Sequence, residues 1–336
     1  MLIQDVGNFY IFASCLLIIN MIVFRLLRRI CIAILILSPL VVNSQDPLLN
    51  SAGIWTYNPS WYNPAITGSK DFTSLDFTYS TGEDFNSMVI SGNGRLVKKI
   101  DAYYNMPDHY TYRNIGLGYQ IFNRSSDSIS TTGFKASGSY HIELNENSLS
   151  YLSVGISLQA TINKISYIPE MESPENVIQE TTYDPNVEFG IYYYSPSFFA
   201  GISATGLLNG ILADDSIYYA HEERHYHLLG GYKFVLSRPL NLLIEPSVVF
   251  TFTDTTFNNF TRGIHPMLKI YLDNFCFGSY FYDRDRISLF FRYNYPGFYI
   301  GGFLAILRKS PYYKSTPSIE LSAGINLSYN KSRQNK

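Results

Sequence analysis

The chain has 336 residues, enough for one large domain or two ordinary ones. Only 15% of them are charged, against about 25% in ordinary soluble proteins, while aromatics reach 16% with 29 tyrosines. The net charge of −2 excludes a general nucleic-acid binder, which needs a basic face or stripe.

The first element in chain order reads as an export leader over residues 1–44, with a second candidate start at Met21. Arg25, Arg28 and Arg29 form a positive region, and Ile30 to Leu37 with Leu40 to Val42 form an apolar stretch. Val42-Asn43-Ser44 offers a cleavage site before Gln45. A membrane anchor is the other reading of this stretch. Cys15 and Cys31 lie within it, which leaves Cys276 alone and no internal disulfide. Nothing after it is long and apolar enough to span a bilayer as a helix.

Residues 45–70 are different in kind. They contain Tyr57-Asn58-Pro59-Ser60-Trp61-Tyr62-Asn63-Pro64-Ala65-Ile66-Thr67-Gly68. Proline lacks the N–H that a sheet ladder needs and biases the residue before it away from helix. Two Asn-Pro pairs therefore predict a rigid, turn-rich segment that plugs one end of a barrel, docks a partner or simply turns the chain into its first strand.

From residue 71 to 330 the dominant signal is alternation with period two. Between Leu152 and Asn163 every even position is apolar and every odd one is Ser, Gly, Gln, Thr or Asn. The pattern returns over 240–252 and 318–329. It predicts fourteen strands, at 72–80, 86–94, 111–122, 132–144, 149–164, 185–195, 197–206, 224–237, 240–253, 263–272, 274–283, 286–295, 297–307 and 316–329. A soluble sandwich would present Lys and Glu on its wet face. The polar face here is small and uncharged, the strands are long, and aromatics gather near their ends, as at Tyr192-Tyr193-Tyr194 and Phe298-Tyr299. These features predict an all-β transmembrane antiparallel outer-membrane β-barrel of about 12–14 strands. Pro169 to Pro185 and Asp214 to Arg224 read as polar loops.

His221-Glu222-Glu223-Arg224-His225 spells the zinc-protease signature H-E-x-x-H. That chemistry needs both histidines on one helical face, whereas the stretch runs directly into a predicted strand. Four extended residues separate the two rings by roughly 13 Å, too far for one zinc ion. His225 and His227 do alternate onto one strand face, which permits a weak metal or proton site. No phosphate loop and no Ser/His/Asp set is suggested by spacing. No catalytic residue, cofactor or metal is expected, and the chain reads as a non-enzyme. Gly116 with Gly118, and Gly230 with Gly231, are read as aids to strand curvature and close packing.

The double Asn-Pro element closely resembles the N-terminal signature of the PorP/SprF family, outer-membrane proteins of the type IX secretion and gliding apparatus in Bacteroidetes-type bacteria. Asn186 to Tyr193 followed by Phe198 to Ser203 resembles that family's central hairpin. Arg224-His225-Tyr226-His227 resembles its Arg-His strand start, and Ser318 to Leu321 its closing strand. The chain departs from the family pattern in two places. No tryptophan follows Trp61, and Leu48-Leu49-Asn50 stands where a glutamine-rich stretch is usual.

The resemblance implies an outer-membrane role in secreting, or anchoring at the surface, a large adhesin-like protein with a C-terminal sorting domain. Periplasmic secretion components and outer-membrane lipid are the other implied partners. Tyr57, Asn58, Pro59, Trp61, Asn63, Pro64 and Gly68 are the candidate partner contacts, with the loop 169–185, and Arg224 and His225 form the strand-start motif. The alternative is a pore or transporter for small molecules.

Overall fold

The computed structural model describes residues 52–70, 72–82, 85–98, 111–126, 129–145, 148–167, 178–208, 224–253, 263–281, 286–295, 297–307 and 318–327. The expected leader over 1–44 lies outside them, as do His221, Glu222, Glu223 and most of the loop expected over 214–224.

Each expected span holds a strand. In chain order they are β1 (Thr73–Thr81), β2 (Phe85–Lys98), β3 (Thr111–Ser126), β4 (Ile129–Asn145), β5 (Ser150–Tyr167), β6 (Ile178–Tyr194), β7 (Phe198–Thr205), β8 (His225–Tyr232), β9 (Phe234–Ser237), β10 (Leu242–Thr253), β11 (Ile264–Leu272), β12 (Phe275–Phe281), β13 (Arg286–Tyr295), β14 (Phe298–Leu307) and β15 (Ser318–Leu327). Apart from β8 and β9, which do not pair with each other, chain neighbours pair antiparallel, and β1 pairs with β15 over nine continuous residue pairs. The result is a closed barrel of 14 strands. β8 and β9 occupy one position in it, because both pair with β10. The break falls at Lys233, near Pro246 of β10, which has no N–H to offer a partner there.

One expectation fails. The loop read over Pro169 to Pro185 becomes strand at Ile178, and β6 then pairs with β5 all the way from Ile178↔Tyr167 to Tyr194↔Tyr151. Both faces of residues 179–182 are polar, so alternation gave no signal. The long partner strand supplies the hydrogen bonds instead.

The barrel is a globular protein turned inside out. On β1, Ser74, Asp76, Thr78 and Ser80 point inward and are at most 7% exposed, while Leu75, Phe77 and Tyr79 point outward and are 37–41% exposed. The same alternation runs round the wall, and an apolar outer band facing acyl chains is what a membrane barrel requires. Rings cluster where strands end: Tyr193 with Phe198, Tyr232 with Phe234, and Tyr295 with Phe298.

The two ends of the barrel differ. At one end the chain enters β1 and leaves β15, and five of the six connections are short, at 146–149, 195–197, 238–241, 273–274 and 296–297; the sixth is 99–110. The other end carries the long connections 168–177, 206–224, 254–263 and 308–317, beside three short ones.

Candidate functional site

The Asn-Pro segment lies inside the barrel. It forms a short helix α1 (Ala52–Tyr57) and then two single turns of 3-10 helix, Pro59–Trp61 and Pro64–Ile66. Each proline takes the first helical position, where its missing N–H would have had no partner and its fixed φ is already suitable. Asn63 precedes the second turn in extended conformation and caps it, its Oδ1 accepting from the Ala65 N–H at 2.9 Å. Gly68 then takes φ +71 to turn the chain toward β1.

Six apolar residues of this plug, Ile54, Trp55, Trp61, Tyr62, Ala65 and Ile66, are at most 6% exposed. With inward rings from the wall they form the hydrophobic core of the molecule. Trp61 meets Phe122 edge-on at 4.9 Å, and Tyr62 meets Trp55 at 5.3 Å and His227 at 5.4 Å.

The wall also holds the plug by its backbone. Lys135 Nζ donates to the Trp61 carbonyl at 2.9 Å, Ser203 Oγ to that of Tyr62, and Ser153 Oγ to that of Ala65 at 2.6 Å. Ser139 Oγ and His141 Nε2 both lie within hydrogen-bond reach of the Thr67 carbonyl, and Arg95 Nε donates to that of Gly68 at 3.0 Å. Asn63 Nδ2 in turn donates to the carbonyls of Ile191 at 3.0 Å and Ile202 at 3.2 Å, bridging β6 and β7. Asn58 Oδ1 accepts from Ser60 and Gln120.

Register explains how so many strands reach one short segment. Arg95, Gly116, Ser139, Gly155, Gly190, Ser203, His227 and Thr251 are successive cross-strand partners from β2 to β10, forming one row around half the lumen. Arg95, Ser139 and Ser203 grip plug carbonyls, and the three glycines make room. A Cβ on Gly155 would stand 2.5 Å from the Pro64 carbonyl carbon and 2.6 Å from Ala65 Cα. One on Gly190 would stand 2.8 Å from Asn63 Cγ, and one on Gly116 would strike the Thr67 carbonyl. The close packing expected of Gly116 and Gly118 is packing against the plug, since Gly118 faces Thr67.

Two buried ion pairs lie in the wall. Lys135 sits 2.5 Å from Glu188 and 5.0 Å from the centre of the Trp61 ring, and Glu188 also accepts from Ser157 at 2.6 Å. Across the lumen Lys269 pairs with Glu245 at 3.1 Å, and Tyr271 donates to the same carboxylate. Arg95 bonds the Tyr194 hydroxyl and lies 5.2 Å over the Tyr151 ring.

Of the residues singled out from sequence, Asn58, Trp61, Asn63, Pro64 and Gly68 are buried in the plug, Pro59 is half-buried, and Tyr57 ends α1. Arg224 stands just before β8 and His225 opens it, so the second histidine of the zinc-like motif is in a strand. Its ring stacks on His227 at 6.2 Å, and the buried His227 lies within hydrogen-bond reach of Thr205 and Thr251. Among the described residues no group of three His, Cys, Asp or Glu side chains is placed to hold a metal ion. The reading from sequence missed Lys135, Ser139, His141, Ser153 and Ser203. For the three serines the available signal was a small polar residue in the middle of an otherwise regular strand, and for Lys135 and His141 a charged or titratable residue on the polar face of one.

Residues 43–325 match the family described as type IX secretion system membrane protein PorP/SprF. The chain belongs to the PorP/SprF family. The strand segments that resemble the family now have a physical meaning, because Glu188, Gly190, Ser203 and His227 from those segments all surround the plug. No curated protein matches the sequence at a significant level. Among solved structures, the chain is similar to the β domain of the Bordetella autotransporter BrkA, at 10% identity and TM-score 0.36 over 76% of this chain and 98% of that one. It is similar to BamA from Haemophilus ducreyi lacking POTRA domains 1–3, at 10% identity and TM-score 0.36 over 77% and 71% of the two chains. It is also similar to the KdgM porin, at 9% identity and TM-score 0.32 over 75% and 98%. As a type IX secretion family member built as a membrane barrel, this PorP/SprF protein resides in the outer membrane.

Proposed function

We propose that this PorP/SprF protein helps to secrete, or to anchor at the surface, a large adhesin-like protein with a C-terminal sorting domain, working with periplasmic secretion components and without catalysis of its own. The observation that carries this reading is the plug. A small-molecule pore needs an open or openable lumen, whereas here six buried apolar side chains and a row of hydrogen-bonded carbonyls occupy the lumen along half of its wall. Bacterial barrels turn their short connections to the periplasm and their long ones outward. On that rule the chain enters and leaves the barrel on the periplasmic side, and the long connections face the exported partner.

In this reading Tyr57, Asn58, Pro59, Trp61, Asn63, Pro64 and Gly68 support partner binding from within, by fixing the wall on which the partner docks. Affinity purification of the mature barrel from native outer membranes, with mass spectrometry, tests the proposal. A large surface protein or periplasmic components in stoichiometric yield is the expected result. A barrel that emerges alone and conducts ions in a planar bilayer would favour the pore. Full partner retention after Asn63-Pro64 are both changed to alanine, in a correctly inserted barrel, would remove the plug from the binding mechanism.

A further inference from the structure

Gly302 of β14 lies between Phe291 of β13 and Leu321 of β15 in one cross-strand row. It shares the outward side of its strand with Leu304, since side chains two apart on a strand lie on one face. Leu289, Phe291, Leu304, Ile319 and Leu321 are 41–57% exposed around it. Phe290, Phe303 and Glu320, at the alternate positions, point into the lumen and are at most 8% exposed. With no side chain at 302, the outward groups rim a groove of about 350 Å³ in the outer surface of the barrel.

The wall does not cover this groove itself. Gly92, which faces outward on β2, is covered, because a Cβ there would stand 2.7 Å from the Tyr119 ring and 2.9 Å from Leu75. A Cβ on Gly302 would meet nothing nearer than Leu321 Cδ2 at 3.8 Å and the Glu320 carbonyl at 3.9 Å. The Phe291 ring packs with that of Phe277, at 5.3 Å between centres, on the side away from Gly302.

Position and width decide what fits. The groove is part of the apolar outer band, so acyl chains surround it. The connections that leave these strands at the nearer end, 282–285 and 308–317, carry Asp283, Arg284, Asp285, Arg308, Lys309 and Lys314, and hydrocarbon excludes such a composition. β13 and β15 stand about 10 Å apart across Gly302, twice the strand spacing, and their side chains narrow the gap further. A helix about 10–12 Å across cannot enter, whereas a single hydrocarbon chain can. A chain lying there gains dispersion contacts with the lining that lipid held off by Phe291 and Leu321 does not make. Ile319 is the second residue of β15 and Leu304 the fourth from the end of β14. The groove therefore lies toward the end with the long connections, the outer end by the rule for bacterial barrels.

We propose that the Gly302 groove is a lipid site, which holds one acyl chain of an outer-leaflet lipid against the wall of β13, β14 and β15. The proposal is independent of the secretion reading above.

The test purifies the wild-type barrel and the Gly302→Leu and Gly138→Leu variants from native outer membranes in mild detergent, and counts retained lipid by native mass spectrometry. Gly138 is the control: it lies on the outward side of β4, also with nothing within 4 Å of a Cβ. Both new side chains point into lipid, so both variants should close, as heat-modifiable migration on gels reports. The expected result is one lipid on the wild type and the control, and roughly tenfold lower occupancy in Gly302→Leu, whose side chain takes the place of the acyl chain against the lining. No retained lipid on the wild type, or equal retention by all three, overturns the proposal. Replacing Leu321 with photo-cross-linking benzoylphenylalanine in native membranes identifies the occupant directly. An adduct of lipid mass is expected, and a cross-link to a second copy, to another protein or to a distant stretch of this chain overturns the proposal. Should Gly302→Leu not close, Gly302→Ala takes its place, since its Cβ meets only ordinary contacts. Occupancy should again fall, and occupancy equal to the wild type overturns the proposal.

Discussion

Asn63 is the residue on which plug and wall depend most directly, and its replacement by alanine has a calculable effect. The side chain is fully buried and makes three hydrogen bonds, one to Ala65 N–H and two to the carbonyls of Ile191 and Ile202. Alanine leaves one N–H without a partner, at about 1–3 kcal/mol, and deprives two carbonyls of a donor at about 0.5–1 kcal/mol each. The plug should therefore be held about 3–4 kcal/mol less tightly, which raises the population with a displaced plug by two to three orders of magnitude, at about 1.4 kcal/mol per tenfold. Asn63→Asp should be worse despite its equal size, because it turns an acceptor toward two carbonyls and buries a charge. Pro59→Ala, at a half-buried position, is the control and should shift the balance by less than about 1 kcal/mol. Limited proteolysis of residues 52–68 in the detergent-solubilised barrel, followed by planar-bilayer conductance, ranks the three variants. Equal protection of Asn63→Ala and Pro59→Ala, or a milder effect of Asn63→Asp than of Asn63→Ala, would refute the reasoning.

Gly155→Val should expel the plug or prevent barrel closure, since even a Cβ meets the backbone at Pro64 and Ala65; the measurement is protease cleavage within residues 52–68. Lys135→Met should destabilise the barrel by about 3–5 kcal/mol by leaving Glu188 buried without its partner. The double change Lys135→Met, Glu188→Leu should recover much of that loss, as read from thermal or denaturant unfolding. Purified protein should carry much less than one equivalent of zinc by metal analysis, because His225 lies in a strand and His227 is engaged by two threonines.

The alternation of Leu152 to Asn163 was enough to place β5, and similar runs placed the other thirteen wall positions, because side-chain direction in a strand is a local property with period two. The choice of membrane barrel over sandwich was also legible, from a polar face of Ser, Thr, Asn and Gly with few charges. Where local pattern was silent, strand length was not legible. Ile178 to Pro185 became strand only because β5 lies beside it.

The sequence by itself determined a rigid Asn-Pro segment followed by a membrane barrel, since turn chemistry and alternation are written in neighbouring residues. It left open whether that segment plugs the barrel, docks a partner or merely turns the chain. Only the tertiary structure placed it inside the barrel, by bringing Arg95, Gly116, Ser139, Gly155, Gly190 and Ser203 into one cross-strand row under Asn63 to Gly68. Those residues come from six different strands, and pairing register alone sets which of them meet. No local run of sequence encodes that register, because it follows from closing every ladder of the barrel at once.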